Sequence, residues 1–205
     1  MAWNGASYDD QADGITRRTT FPPVSATPTV NIAIVGGGAA GLATAIFAKR
    51  AAPHLSVAVF DGARAPGAKI LVSGGSRCNV TNATVTEHDF NGGRPAIIRR
   101  ILRAFPASST VEFFRTLGVT LHQEPLGKLF PDSNRSRDVL DALLRGLQQS
   151  GAELRADHRV HSIRRTPGPG SGFDLATSQG EVRAGAVVLA TGGLALPKTG
   201  SDGLG

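Results

Sequence analysis

The chain has 205 residues, 40% hydrophobic and 19% charged, a globular composition with enough length for a core of its own and neither disordered nor fibrous overall. No apolar run approaches the ~18 residues of a membrane span, and the single cysteine, Cys78, excludes an internal disulfide and fits a cytoplasmic location. A net charge of +6 raises a polyanion partner, yet the arginines are scattered, no aromatic residues alternate with them to stack bases, and neither nucleic acid nor membrane is expected as a partner.

Residues 1–28 are rich in Ser, Thr, Pro and Asp without an apolar period, and read as a disordered tail. Arg17 and Arg18 are followed by no apolar stretch, so they do not read as an export signal. The pattern then changes. Residues 29–35 (TVNIAIV) read as a buried parallel strand, 36–41 as a glycine turn, 39–51 as a helix ended by Ala52 and Pro53, and 55–60 as a second strand. A β–α–β run with short connections implies a right-handed crossover and a parallel sheet. Residues 62–91 read as loop. Helices are expected over 95–104, from Ser109 to Gly118 and over 137–149, the second opened by a capping box of Ser109 and Glu112. Strands at 152–156, 160–165, 173–177 and 182–189 complete the chain, the last three as an antiparallel meander, with a Pro/Gly loop at 167–172.

The glycine turn carries the chemistry. Gly36, Gly38 and Gly41 satisfy G-x-G-x-x-G, a pattern that is weak alone. Here a strand precedes it, a helix follows it, and Asp61 ends the next strand twenty residues after the last glycine, the spacing of a dinucleotide-binding unit. Gly36 permits the tight turn, Gly38 lets a pyrophosphate approach the backbone, and Gly41 lets the helix pack on the sheet. The amides of Ala39, Ala40 and Gly41, at the positive end of the helix dipole, then face phosphate. Asp61 would accept from the adenosine ribose hydroxyls and disfavour a 2′-phosphate by charge. The βαβ unit alone does not separate FAD from NAD; the meander, ending in Ala190, Thr191, Gly192 and Gly193, resembles the FAD domain of glutathione-reductase-like flavoproteins.

Two further segments, 67–82 (GAKILVSGGSRCNVTN) and 124–133 (EPLGKLFPDS), with Thr191–Gly193 and 197–203 (PKTGSDG), resemble a family of bacterial NAD(P)/FAD-dependent oxidoreductases described as BaiN-like or aminoacetone-oxidase-like. The resemblance covers residues 29–205 and is most specific at SGGSRCN. It implies a Rossmann-type α/β fold, non-covalent FAD, and hydride transfer to or from a small organic substrate with NAD(P)H as a candidate donor. By motif, Lys69, Ser73, Gly74, Gly75, Arg77, Cys78 and Asn79 would line a loop approaching the flavin, Val160 would offer its backbone to adenine, and Ala190, Thr191 and Gly192 would close over the nucleotide. The sequence departs from the family at Ser76, where glycine is usual, and at Ala195 and Leu196, where Ser-Tyr is common. Family members continue roughly as long again, through a substrate domain and a return segment that completes the flavin site; both are expected beyond residue 205.

Other readings remain at this point: a partial, non-catalytic nucleotide-binding fragment, an NAD-dependent dehydrogenase, and, on charge alone, a basic nucleic-acid module. Cys78 reads as a packed thiol, Arg77 equally as a flavin contact or a loop brace, Asn79 and Asn82 as turn formers, and His122 as a solvated strand-end residue. His158 and His161 are expected on opposite faces of a strand, and the histidines show no metal-ligand spacing. No catalytic acid or base, substrate, choice of NADH or NADPH, or oligomeric state follows from the sequence.

Overall fold

A computed structural model describes residues 29–167 and 171–193. The expected tail, Ala195, Leu196 and the 197–203 motif lie outside the described residues.

β-branched alternation builds the sheet's centre. In β1 (Thr29–Val35) Ile32 and Ile34 face one side while Ala33 and Val35 face the other, and in β2 (Val57–Phe60) Val57 and Val59 oppose Ala58 and Phe60. Between them α1 (Ala39–Ala51) returns the chain, and the strands pair in parallel with Val35 opposite Phe60. The remaining helices are α2 (Ala68–Ser76), α3 (Pro95–Ala104), α4 (Ala107–Thr116) and α5 (Ser136–Ser150). Seven further strands are β3 (Thr81–Asn82), β4 (Leu121–Gln123), β5 (Lys128–Pro131), β6 (Glu153–Arg155), β7 (Val160–Thr166), β8 (Gly172–Thr177) and β9 (Gly180–Leu189).

Six strands form one sheet in the order β6-β2-β1-β9-β8-β7. β6, β2, β1 and β9 run parallel, while β7, β8 and β9 form the antiparallel meander. The main core lies on one face: α5 packs on α1 and α2, burying Leu140, Leu143 and Leu147 with Ile46, Ile34 and Val59, and α4 adds Phe113 and Phe114. The opposite face holds a smaller cluster of Val30, Ala33, Phe60, Leu175 and Val182.

Several expectations are corrected. The stretch 62–91 is not simply loop: it contains α2, β3 and a 3₁₀ turn at Glu87–Asp89. Its glycines concealed α2 because they fall in its last turn, where Ser73, Gly74 and Gly75 leave helical geometry. The capping box at Ser109 does not form. Pro106 caps α4 three residues before the expected cap at Ser109, and Glu112 instead takes both Nε and Nη2 of Arg115 at 2.7 Å. A capping box does form at Thr86 and Asp89. β4 and β5, with β3, make a second antiparallel sheet that short strands and an intervening Pro125–Gly127 turn had hidden. His158 precedes β7 rather than lying in it; its Nδ1 lies 2.8 Å from the Ala156 carbonyl.

Candidate dinucleotide-binding site

The site forms where β1, β2 and β9 end together, the position at which parallel α/β sheets bind ligands. The Gly36 amide donates to the Phe60 carbonyl at 2.8 Å, and the Ala190 amide to the Val35 carbonyl at 2.8 Å. Gly36 turns at φ +112°, and a Cβ there would strike the Ala190 carbonyl. A Cβ on Gly41 would strike the Gly36 carbonyl oxygen and crowd Ile34. Both glycines are thus required by the fold.

Gly38 is different. Its backbone is extended, at φ −82° and ψ −174°, a conformation open to any residue. A Cβ added to it would meet no protein atom within 4 Å, and Gly38 lines a cleft at the strand ends. Gly38 caps α1 without a side-chain hydrogen bond, no acid stands in the first turn, and Ala39 and Ala40 are exposed. The first amides of α1 and its positive dipole end are therefore presented to the cleft.

Asp61 Oδ2 accepts from the Gly37 amide at 2.5 Å, and Oδ1 from the Ala63 amide at 2.8 Å. The carboxylate braces the glycine turn, a role the sequence reading did not include; each oxygen keeps a lone pair for a ribose hydroxyl. A cavity of about 350 Å³ beside it is lined by Gly36, Phe60, Asp61, Arg159, Val160, His161 and Thr191. A smaller cleft of about 90 Å³ shares Gly36, Asp61 and Thr191 and adds Gly38, Lys69, Ala190 and Gly192. Lys69 reaches it from the first turn of α2, its Nζ donating to the Gly193 carbonyl at 2.5 Å.

The structure thus gathers Gly36, Gly38, Asp61, Lys69, Val160, Ala190, Thr191 and Gly192 around two joined clefts, with Ala39, Ala40 and Gly41 in the adjoining helix turn. Ser73, Gly74, Gly75, Arg77, Cys78 and Asn79 line neither cleft and form a separate loop at the far end of α2. There the Cys78 thiol is buried in the main core, and burial raises its pKa against the lowering effect of a Ser73 hydrogen bond. Arg77 is a brace, bound to Glu124 rather than to carbonyl groups. His122 is partly buried and lies between two carboxylates, 3.6 Å from Glu124 and 3.4 Å from Asp132. Phe60, Arg159 and His161 were missed; strand alternation about Val160 was the signal for the last two. A further cavity, about 450 Å³, is elsewhere, an open groove of Phe47, Phe105 and Phe113 rimmed by Arg50. It lies away from the glycine turn and the strand ends. No group of three or more potential metal-ligating residues occurs among the described residues.

The family model described as HI0933-like protein Rossmann domain matches residues 30–205. The chain belongs to this family. The chain is 32% identical over 174 residues to a 3-dehydro-bile acid delta(4,6)-reductase of Clostridium scindens, covering 85% of this chain and 42% of that protein. It is 30% identical over 172 residues to a ribosomal RNA dihydrouridine synthase of Escherichia coli, covering 84% of this chain and 42% of the relative. The HI0933-like chain therefore spans less than half the length of these curated relatives. Among solved structures, the Escherichia coli quinol fumarate reductase matches with a TM-score of 0.57 at 21% identity, over 80% of this chain and 33% of that one. The fold is a Rossmann-type FAD-binding domain with a mixed sheet, as the sequence motifs implied.

The residues present fit FAD. The open position at Gly38, the uncapped start of α1 and the Asp61 brace would hold the pyrophosphate and ribose, and the cavity beside Val160 has room for adenine.

Proposed function

We propose that this chain is the FAD-holding part of a flavin-dependent oxidoreductase. When bound, FAD supplies hydride transfer, and the protein contributes binding, orientation and electrostatics. The observation that carries the reading is Gly38: the fold has no need of a glycine there, and a side chain would occupy the cleft that leads to the helix amides. Gly36 and Gly41 shape the turn, Asp61 fixes it and meets the ribose, and Lys69 exchanges the Gly193 carbonyl for a phosphate oxygen. Thr191 and Gly192 close the strand end over the nucleotide.

A small organic substrate is favoured by the bile-acid reductase relative, with NAD(P)H as donor. A second reading is an RNA base as substrate, because a relative 30% identical is named for a dihydrouridine product in ribosomal RNA. Both names describe a reductive outcome, so the flavin role is common to them. No helix among the described residues is long and apolar enough to cross a membrane; a cytoplasmic location is proposed on the lone cysteine, Cys78.

The test is to purify the protein, add FAD, remove the excess and record the visible spectrum. A retained oxidised-flavin spectrum, bleached by dithionite, is expected. A folded protein that stays colourless and shows no FAD binding in titration overturns the reading. Reduction assays with NADH and NADPH, followed by RNA binding across a salt series, separate the substrate classes.

A further inference from the structure

The ten residues of α3, PAIIRRILRA, include none that is buried, although four of them are large and aliphatic. Helical periodicity sorts them. Ile98 and Leu102 share one flank and are half-buried, whereas Ile97 and Ile101 share the next and are exposed. Arg99, Arg100 and Arg103 take the remaining side, and Arg94 caps the start. The apolar row does not end with the helix. Phe105, its C-cap, is exposed and stands edge-on to Phe47, ring centres 5.5 Å apart. Both rings line the open groove of about 450 Å³. There the Arg50 guanidinium lies 5.5 Å from the centre of the Phe113 ring. Exposed apolar side chains therefore run from Ile97 through Ile101 and Phe105 to Phe47, with arginines beside both ends.

The charge on this surface has one sign. α3 carries no acid, and the carboxylates around it are engaged. Glu87 accepts from Arg99 Nε at 2.7 Å, Asp89 from the Thr86 amide at 2.8 Å, and Glu112 from Arg115 Nε at 2.7 Å. Arg94, Arg100 and Arg103 make no side-chain hydrogen bond or ion pair with any described residue. Arginine stems lie along apolar surface while their heads reach polar groups, so a partner must offer apolar depth under the isoleucines and fixed negative charge beside them. RNA supplies the charge, but aliphatic isoleucines give its bases no stacking platform. A second copy supplies apolar surface, but it brings a second set of the same arginines. An anionic bilayer supplies both, acyl chains beneath a layer of phosphates. A helix lying in that boundary needs no spanning run, so the absence of a long apolar stretch bears on crossing a membrane and not on resting against one.

We propose that α3 and the adjoining Phe47–Phe105 groove form a docking surface for an anionic lipid bilayer: Ile97, Ile101 and Phe105 enter the acyl boundary, and Arg94, Arg100 and Arg103 meet lipid phosphates. None of these α3 residues lines the clefts at the strand ends, so the surface is independent of the FAD reading. A helix this short carries little apolar area, and its attachment is reversible and requires both components. The test is flotation of the full chain with vesicles of phosphatidylcholine alone and of equal parts phosphatidylcholine and phosphatidylglycerol. Only lipid-bound protein rises, which separates docking from self-association. The protein floats with the mixed vesicles, not with phosphatidylcholine, and less as salt is raised. Arg100→Gln with Arg103→Gln lowers partitioning on the order of tenfold. Ile97→Lys with Ile101→Lys lowers it on the order of tenfold as well, although positive charge is added. Melting temperatures of both double variants control for folding. No flotation with the mixed vesicles overturns the proposal. So does flotation that the lysine variant retains or increases, which would be attraction by charge alone. Polyuridylate that strips the protein from vesicles, and that the lysine variant binds undiminished, assigns the surface to RNA instead. A discrete dimer that never floats, and that the lysine variant abolishes, assigns it to a second copy; either result overturns the bilayer.

Discussion

Three glycines of one motif answer to different demands. Gly36 and Gly41 are glycine because backbone oxygens of Ala190 and Gly36 stand where a Cβ would go; Gly38 is glycine although no protein atom requires it. Stability and binding should therefore separate. Gly36→Ala combines a φ of +112° with a collision against backbone, and is expected to lower stability by at least about 2 kcal/mol, seen as a lower urea midpoint. Gly38→Val should melt within a few degrees of the parent and lose on the order of a hundredfold in FAD affinity by titration. Equal loss of stability in both variants would contradict the assignment of Gly38 to the ligand. A third prediction concerns Ser76, at φ 67°. Ser76→Gly removes left-handed strain but adds freedom to the unfolded chain, so a net gain of up to about 1 kcal/mol is expected, read as a raised urea midpoint.

At the scale of elements, the regular parts of the chain were legible because periodicity and punctuation agreed. Strand alternation in β1 and β2, and the Leu140, Leu143 and Leu147 face of α5 ending at a left-handed Gly151, followed directly from residue order. What failed was local chemistry overruled by tertiary contact. Ser109 and Glu112 have capping-box spacing, yet Pro106 starts α4 earlier and Arg115 claims the glutamate. α2 was masked by glycines that serve its exit, not its body. The cleft residues were legible from the motif, whereas the Arg77–Glu124 tie was not, since no local pattern pairs positions 47 residues apart. That tie carries a pH signature. The Arg77 guanidinium, with His122 as a lesser contributor, holds the Glu124 carboxyl below its ordinary range. A depressed folded-state value means that the contribution is present above the ordinary carboxylate range and is lost as pH falls through the depressed value. The melting-temperature difference between the parent and Glu124→Gln should accordingly be small but present at neutral pH and vanish in acid. A difference that persisted at low pH would show that charge plays no part in the tie.

Across the whole molecule, apolar surface is unevenly covered. The sheet carries its helices on one side, and α3 stands apart from the core with no buried residue. Its arginines, Arg99, Arg100 and Arg103, occupy one side of the helix and Ile97, Ile98, Ile101 and Leu102 the other, as the i, i+3, i+4 order requires. Ile97 is 55% and Ile101 61% exposed, and the helix leads directly to Phe105, 40% exposed against Phe47. A stripe of this kind drives association once concentration is sufficient, because burying it releases ordered water while like-charged arginines keep contacts irregular. Concentration-dependent self-association is therefore expected in light scattering. The double variant Ile97→Lys, Ile101→Lys should suppress it, with stability changed by no more than about 0.5 kcal/mol because neither side chain contributes to the core. FAD affinity should be unaffected, since neither residue lines the clefts at the strand ends. Loss of stability in that variant would mean that α3 is packed more firmly than its exposure indicates; unchanged scattering would mean that the α3 stripe does not drive the association.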